Sequence, residues 1–249
     1  MNNELDVDPP CVYDGRDVRV FAHAGPGELL VVTFTEFTKH PPAALFATSF
    51  LAKNQIPFIA FQSQDNHWWQ TPEMDEAIDR IRPLLAGRDR IYTYGSSMGA
   101  NGALMFSKAL GATRVIAVAP QYSIHPDIMP EEFRWPNEAS RVGRLYEPDE
   151  AICPKAEKVI VYDPFCGPDA VHAERILKLP NTMHLKISLG GHAPLQLVRG
   201  GGMLSKLMGI LFAPELRMDA ARELCRQARR TSPAYRLAYA LRKYGRRNP

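Results

Sequence analysis

The sequence predicts an α/β protein built on a mostly parallel sheet, and three observations carry that reading. Short β-branched runs recur along the chain between turn residues, helix-like stretches separate them, and the central runs are apolar almost throughout, as strands covered on both faces are. Strands alternating with helices imply right-handed βαβ crossovers. At 249 residues, 45% hydrophobic and 23% charged, the composition is that of an ordinary globular chain and excludes a fibrous or wholly disordered one.

Taken in order, residues 17–22 (Asp-Val-Arg-Val-Phe-Ala) alternate and read as an early edge or hairpin strand. Leu29–Phe34 is a near-continuous run, the mark of a buried strand. Residues 57–61, 91–94, 114–118, 158–162 and 185–189 come next as strands, with helices expected over 43–53, 73–85, 100–110 and 171–179. One connection is too long: about 40 residues separate Val118 from Lys158, and loops beyond roughly 15 residues without structure are usually functional or disordered. It contains Pro126, Pro130, Pro136, Pro148 and Pro154, but Ile128, Met129, Phe133, Trp135, Val142, Leu145 and Tyr146 give it something to bury. A packed excursion over the C-terminal edge of the sheet, a small lid over about 123–150, is the expectation.

Residues 214–249 hold ten Lys/Arg against three Asp/Glu, a net of +7 in a chain of net +3, which leaves −4 for the body at 1–213. The chain therefore divides into a body and a basic helical C-terminal extension. Leu216, Ala220, Leu224 and Ala228 form one apolar stripe, Ser232-Pro233 breaks the helix, and Tyr235, Leu237, Tyr239 and Leu241 interleave with Arg236 and Arg242 beyond it. Such a segment packs one face on the body, with an anionic membrane surface or a protein partner as its further uses; no nucleic-acid fold or aromatic platform accompanies the charge.

No stretch reaches the roughly 18 apolar residues of a membrane span, and the polar start of the chain carries no leader pattern, so a cytoplasmic protein is expected. The four cysteines (Cys11, Cys153, Cys166, Cys225) form no CxxC pair and read as reduced thiols. No metal-ligand spacing occurs, and neither a metal nor an organic cofactor is expected.

The chemistry lies in Gly95-x-Ser97-x-Gly99, between a strand-like and a helix-like run. A serine on so tight a turn needs small residues two before and two after it. Its Oγ then stands at a helix N-terminus, where the dipole favours developing negative charge and the Met98 N–H points at an oxyanion. The Lys of a phosphate-binding P-loop is missing. Among seven histidines, His192 in Gly190-Gly191-His192 comes directly after the last strand, where a glycine-rich turn can swing it over the sheet edge as the base. The orienting acid comes after the penultimate strand. Asp169, just before a helix-like segment, is the better placed; Asp163, at the strand terminus before Pro164, is the alternative and has the turn's own N–H groups to serve.

The order Ser97, Asp169, His192, each after a strand, resembles the α/β-hydrolase superfamily, and in particular its small bacterial serine-hydrolase-like members, over about residues 17–211. The resemblance implies a three-layer sandwich with the active site on loops at one edge. It also implies a second oxyanion N–H in the turn at 33–38, where Thr35 and Phe37 are the candidates and Glu36 an awkward neighbour for an anion. Trp68, Trp69 and Tyr122 sit on loops at that edge and are candidates for a substrate pocket, with packing against the next helix the alternative for the tryptophans. Three functions are open to such a chain: a serine hydrolase of a small carboxylic ester or thioester, an acyltransferase using the same acyl-enzyme, or a non-catalytic binding module on the same fold.

Overall fold

The computed structural model describes residues 9–23 and 25–245. Residues 1–8, the polar start of the chain, and 246–249, the end of the basic tail, lie outside the described residues. The strands are β1 (Cys11–Asp14), β2 (Val18–His23), β3 (Leu29–Phe34), β4 (Phe58–Ser63), β5 (Arg90–Ser96), β6 (Arg114–Val118), β7 (Glu157–Tyr162) and β8 (Thr182–Lys186). They form one sheet in the order β1-β2-β4-β3-β5-β6-β7-β8. The pairs β1–β2 and β2–β4 are antiparallel and the rest parallel.

Period-two side chains divide the sheet's surroundings into two cores. Leu30, Val32 and Phe34 of β3, Ile59 and Phe61 of β4, and Val115 and Ala117 of β6 face one side, where they meet α2 (Glu73–Leu85), α3 (Met98–Met105) and α6 (Gly167–Ile176). Val31, Ala60, Tyr92, Tyr94, Ile116 and Val118 face the other. That side is covered by α1 (Thr48–Lys53), α7 (Pro194–Gly200), α8 (Leu204–Phe212) and α9 (Met218–Thr231). The tail thus reaches into the second core through Met218, Ala221, Cys225 and Ala228, while α10 (Pro233–Gly245) starts at the proline that stops α9. No helix of the described residues is long and apolar enough to cross a membrane.

Residues 123–150 lie against the first core. They include the short helices α4 (Pro136–Arg141) and α5 (Pro148–Ala151) and bury Ile124, Met129 and Val142. Phe133 and Leu145, expected to be buried with them, are 73% and 54% exposed.

Several boundaries differ from the pattern. Helix α1 begins at 48 rather than 43 because Ala47 takes a left-handed conformation (φ 61°) before it. Helix α3 begins two residues before the expected start, immediately after Ser97. The last strand runs 182–186, three residues earlier than expected, and the chain then turns through Leu189 (φ 65°) and Gly191 (φ 60°) towards His192.

Arg114, 2% exposed at the start of β6, locks the end of α8 onto the sheet. Its Nη1 donates to Leu211 O (3.0 Å) and Ala213 O (2.7 Å), its Nη2 to Pro214 O (3.1 Å), and its Nε to Glu157 (2.8 Å). Replacing Arg114 by Met removes its bonds to three carbonyls at a helix C-terminus, of which only Ala213 O keeps another donor, the Tyr92 hydroxyl at 3.4 Å, and is expected to cost about 3 kcal/mol. Urea denaturation measures this; a loss below about 1 kcal/mol, the level of a single ordinary hydrogen bond, would mean that water replaces the guanidinium there.

Candidate active site

Ser97 stands between β5 and α3 with φ 54° and ψ −121°, outside the usual wells of a non-glycine residue. Its N–H donates to Val118 O (2.9 Å), and its carbonyl accepts from Ala100 N (3.0 Å) and Asn101 N (3.1 Å). The glycines are steric requirements. A Cβ on Gly95 would overlap Gly99 O, and one on Gly99 would overlap Phe34 O and lie 2.9 Å from Thr35 O.

This turn brings together residues from three distant loops. Ser97 Oγ lies 2.9 Å from His192 Nε2, and His192 Nδ1 lies 2.8 Å from Asp169 Oδ2. With Nδ1–H donated to the carboxylate, Nε2 is left to accept the hydroxyl proton. Asp169, in the first turn of α6, is fully buried. Burial alone would raise its carboxyl, but the bond to His192 and the Arg134 guanidinium outweigh burial and hold it below the ordinary carboxylate value. Asp163 serves the turns instead: its oxygens accept from Phe165 N–H and Gly191 N–H, each at 2.9 Å, which ties the end of β7 to the loop that carries His192.

Two residues that sequence reasoning passed over belong here. Gln121 Nε2 donates to Ser97 Oγ at 3.3 Å, which leaves the hydroxyl proton free to point at His192. Arg134 Nη1 donates to the other oxygen of Asp169, Oδ1, at 2.7 Å. Its Nε and Nη2 donate to Glu132, and Glu132 Oε2 accepts from His172 Nε2 at 2.8 Å. Tyr122 N–H in turn donates to His172 Nδ1 at 3.1 Å. His172, with no partner assigned from the sequence, thus anchors a chain of bonds that ends on Asp169.

Of the expected oxyanion donors, Met98 opens α3, so its N–H has no acceptor within the helix. Thr35 requires correction: its N–H donates to Phe61 O at 3.1 Å, one step beyond the end of β3, and is not available to an anion. Among the described residues, the N–H groups of Glu36 and Phe37 have no such acceptor.

Trp68, Trp69 and Tyr122 also require correction. Each is 2% exposed or less, and the space that Trp68 and Tyr122 line measures only about 20 Å³, too small for an acyl group. Trp69 Nε1 donates to Met98 O at 3.0 Å, and its indole fills the space that a Cβ on Gly102 would enter, at 2.6 Å. Trp68 Nε1 reaches Gln121 Oε1 at 3.4 Å, and the Tyr122 hydroxyl donates to Asp149. They brace the elbow and its neighbours from beneath. The open cavity near the site lies on the other face of the sheet. It measures about 560 Å³ and touches Phe37, Ser96 and Ala193, with apolar walls that include Phe46, Leu204 and Met208 and with Arg199 at its edge. No group of three metal-ligating side chains converges among the described residues.

No protein-family model and no curated protein matches the sequence. Solved structures do match in fold. The capsule O-acetyltransferase of Neisseria meningitidis serogroup A superposes with a TM-score of 0.58 at 15% identity, covering 80% of this chain and 93% of that one. A thermophilic esterase of Thermogutta terrifontis gives 0.55 at 14% identity over 85% and 98% of the two chains. An esterase of Pyrococcus furiosus gives 0.50 at 15% identity over 81% and 96%. The fold is α/β-hydrolase-like.

Burial pushes the Glu132 carboxyl up, but the bonds from His172 and Arg134 outweigh it and hold the group at about 2. The unfolded chain, with Glu132 at an ordinary value of 4.5, then binds protons more readily than the folded one. The stabilisation is complete above pH 4.5 and lost as pH falls from there towards about 2. The urea midpoint is expected to decline over that window, and to decline less steeply in Glu132→Gln; equal slopes would mean that Glu132 titrates alike in both states.

Proposed function

We propose that this protein is a serine enzyme that cleaves a carboxylic ester or thioester through an acyl-enzyme on Ser97. The observation that carries this reading is the unbroken line from Ser97 Oγ to His192 Nε2 and from His192 Nδ1 to Asp169, held on a strained turn at the start of a helix. Ser97 Oγ attacks the acyl carbon as His192 Nε2 takes its proton, and Asp169 balances the imidazolium. The Met98 N–H and a free amide of the 36–37 turn receive the oxyanion. Collapse expels the leaving group with the proton from His192. Water then attacks the acyl carbon, its proton passing through His192 back to Ser97, and the acid is released. The apolar walls of the 560 Å³ cavity beside Ser96 suit the acyl group, and Arg199 at the edge suits a polar end.

A second reading, transfer of the acyl group to a hydroxyl acceptor, draws support from Ser97 itself. At 6% exposure the serine offers water little access, and an O-acetyltransferase is among the proteins that share the fold. Product partition with and without alcohol or sugar acceptors separates the two.

Ser97→Ala is expected to lower kcat/KM for a short p-nitrophenyl ester by at least roughly a thousandfold, with the melting temperature nearly unchanged. Activity retained in that variant would take Ser97 out of the chemistry, and a wild type that a fluorophosphonate leaves unlabelled would point to a binding module. Leu204→Trp, which narrows the cavity, is expected to shift preference towards shorter acyl chains on a p-nitrophenyl ester series; an unchanged profile would move the acyl site elsewhere.

A further inference from the structure

Two consecutive side chains of the 123–150 excursion reach opposite halves of the site. Asp169 is a single buried carboxylate whose oxygens are divided, Oδ2 to His192 Nδ1 at 2.8 Å and Oδ1 to Arg134 Nη1 at 2.7 Å. Trp135 packs its ring 4.6 Å from that of Phe37, on the turn with the free amides, and 5.2 Å from that of Trp68. The excursion therefore touches both the acid and the oxyanion side.

Arg134 is itself held in place. Glu132, whose side chain is fully buried, takes its Nε at 2.9 Å and its Nη2 at 2.5 Å, and His172, itself fixed by the Tyr122 N–H, holds Glu132 from behind. A guanidinium gripped from one side by a fork presents its remaining Nη1 in a fixed direction, which a lysine on a flexible stem does not.

Arg134 Nη1 also lies 3.5 Å from His192 Nδ1. Nδ1–H is already given to Asp169, so both atoms are donors and the approach is a repulsion, not a bond. That repulsion grows when the imidazole takes a second proton. The other titratable groups close to this pair are Asp163 at the end of β7, bonded to Gly191 N–H, the Cys166 thiol before α6, and Glu132 and His172 behind Arg134. Among them Arg134 is the one permanent cation.

We propose that Arg134 is a positioning residue for the acid–base pair: it fixes Asp169 in the orientation that receives His192, and its charge opposes the addition of a second proton to the imidazole. Glu132 and His172 are its mount. The proposal rests on the reading of Ser97 as nucleophile, and its test keeps the two apart.

The ring nitrogens of His192 are followed by NMR against pH in the full chain labelled with 15N-histidine, with His192→Gln supplying the assignment. The pH profile of kcat/KM on p-nitrophenyl acetate is measured alongside. In Arg134→Gln the His192 midpoint and the acid limb of the profile are both expected to rise by about one pH unit, a tenfold gain in proton affinity. Arg134→Lys restores the charge and should return most of that shift. The plateau of kcat/KM is expected to fall roughly tenfold or more in both, since neither rebuilds the fork. Glu132→Gln removes an anion and keeps the cation, so its midpoint should move the other way. A role in folding alone would lower the plateau without moving any midpoint. An unmoved midpoint in folded Arg134→Gln, equal midpoints in the Gln and Lys variants, or an upward movement in Glu132→Gln would each overturn the proposal. If Arg134→Gln does not fold, the Lys and Glu132 variants still decide. A wild type that neither hydrolyses the ester nor takes the fluorophosphonate would defeat the reading of Ser97, and the NMR midpoints would still settle the role of Arg134.

Discussion

The contact on which the site depends is one between backbones. The first turn of α3 passes so close to the end of β3 that the carbonyls of Phe34 and Thr35 occupy the space where any side chain on Gly99 would lie, and Gly95 meets the carbonyl of Gly99 in the same way. Only this approach lets Ser97 stand clear of the sheet while its N–H remains paired to β6. The conformation it requires costs on the order of 1–3 kcal/mol, which the parallel ladders of β3, β5 and β6 on either side offset. Trp69 then pins the start of the helix from below through Met98 O. Asp169 and His192 need only arrive at a point that the backbone has already defined.

Much of this is legible in the sequence because it arises from periodicity and chain order. The inner strands are apolar on both faces, and their odd and even residues do feed two separate cores. A serine between two glycines at a strand-to-helix junction, a histidine in a glycine-rich turn and an aspartate after the penultimate strand are each local patterns. The topology of a parallel sheet brings such loops to one edge. Asp163 and Asp169 differ in their local setting: the first precedes a proline turn whose amides it accepts, and the second opens a helix that aims it inward.

The features hidden from the sequence depend on pairings without a local signal. Thr35 loses its amide to the β3–β4 ladder, which runs one residue beyond the apolar pattern that marks the strand. Gln121 and Arg134 meet their partners across 24 and 35 residues of chain, from stretches with neither helical nor strand period. The tryptophan pair reads as a pocket wall because large aromatics on an edge loop serve packing and binding alike. Left-handed backbone at both Trp68 (φ 47°) and Trp69 (φ 62°) turns them into the interior instead. The cavity itself is assembled from the loop before α1 and from α7 and α8, elements too short to announce themselves by period.

Helix α9 closes the second core with Met218, Ala221, Cys225 and Ala228, yet it is synthesised after all eight strands. Until those residues are added, the apolar surface that α9 covers on α7, α8 and β8 stays open. Folding from the N-terminal end therefore leaves the second core incomplete until α9 arrives. Docking of α9, rather than formation of the central strands, is the event that seals this core.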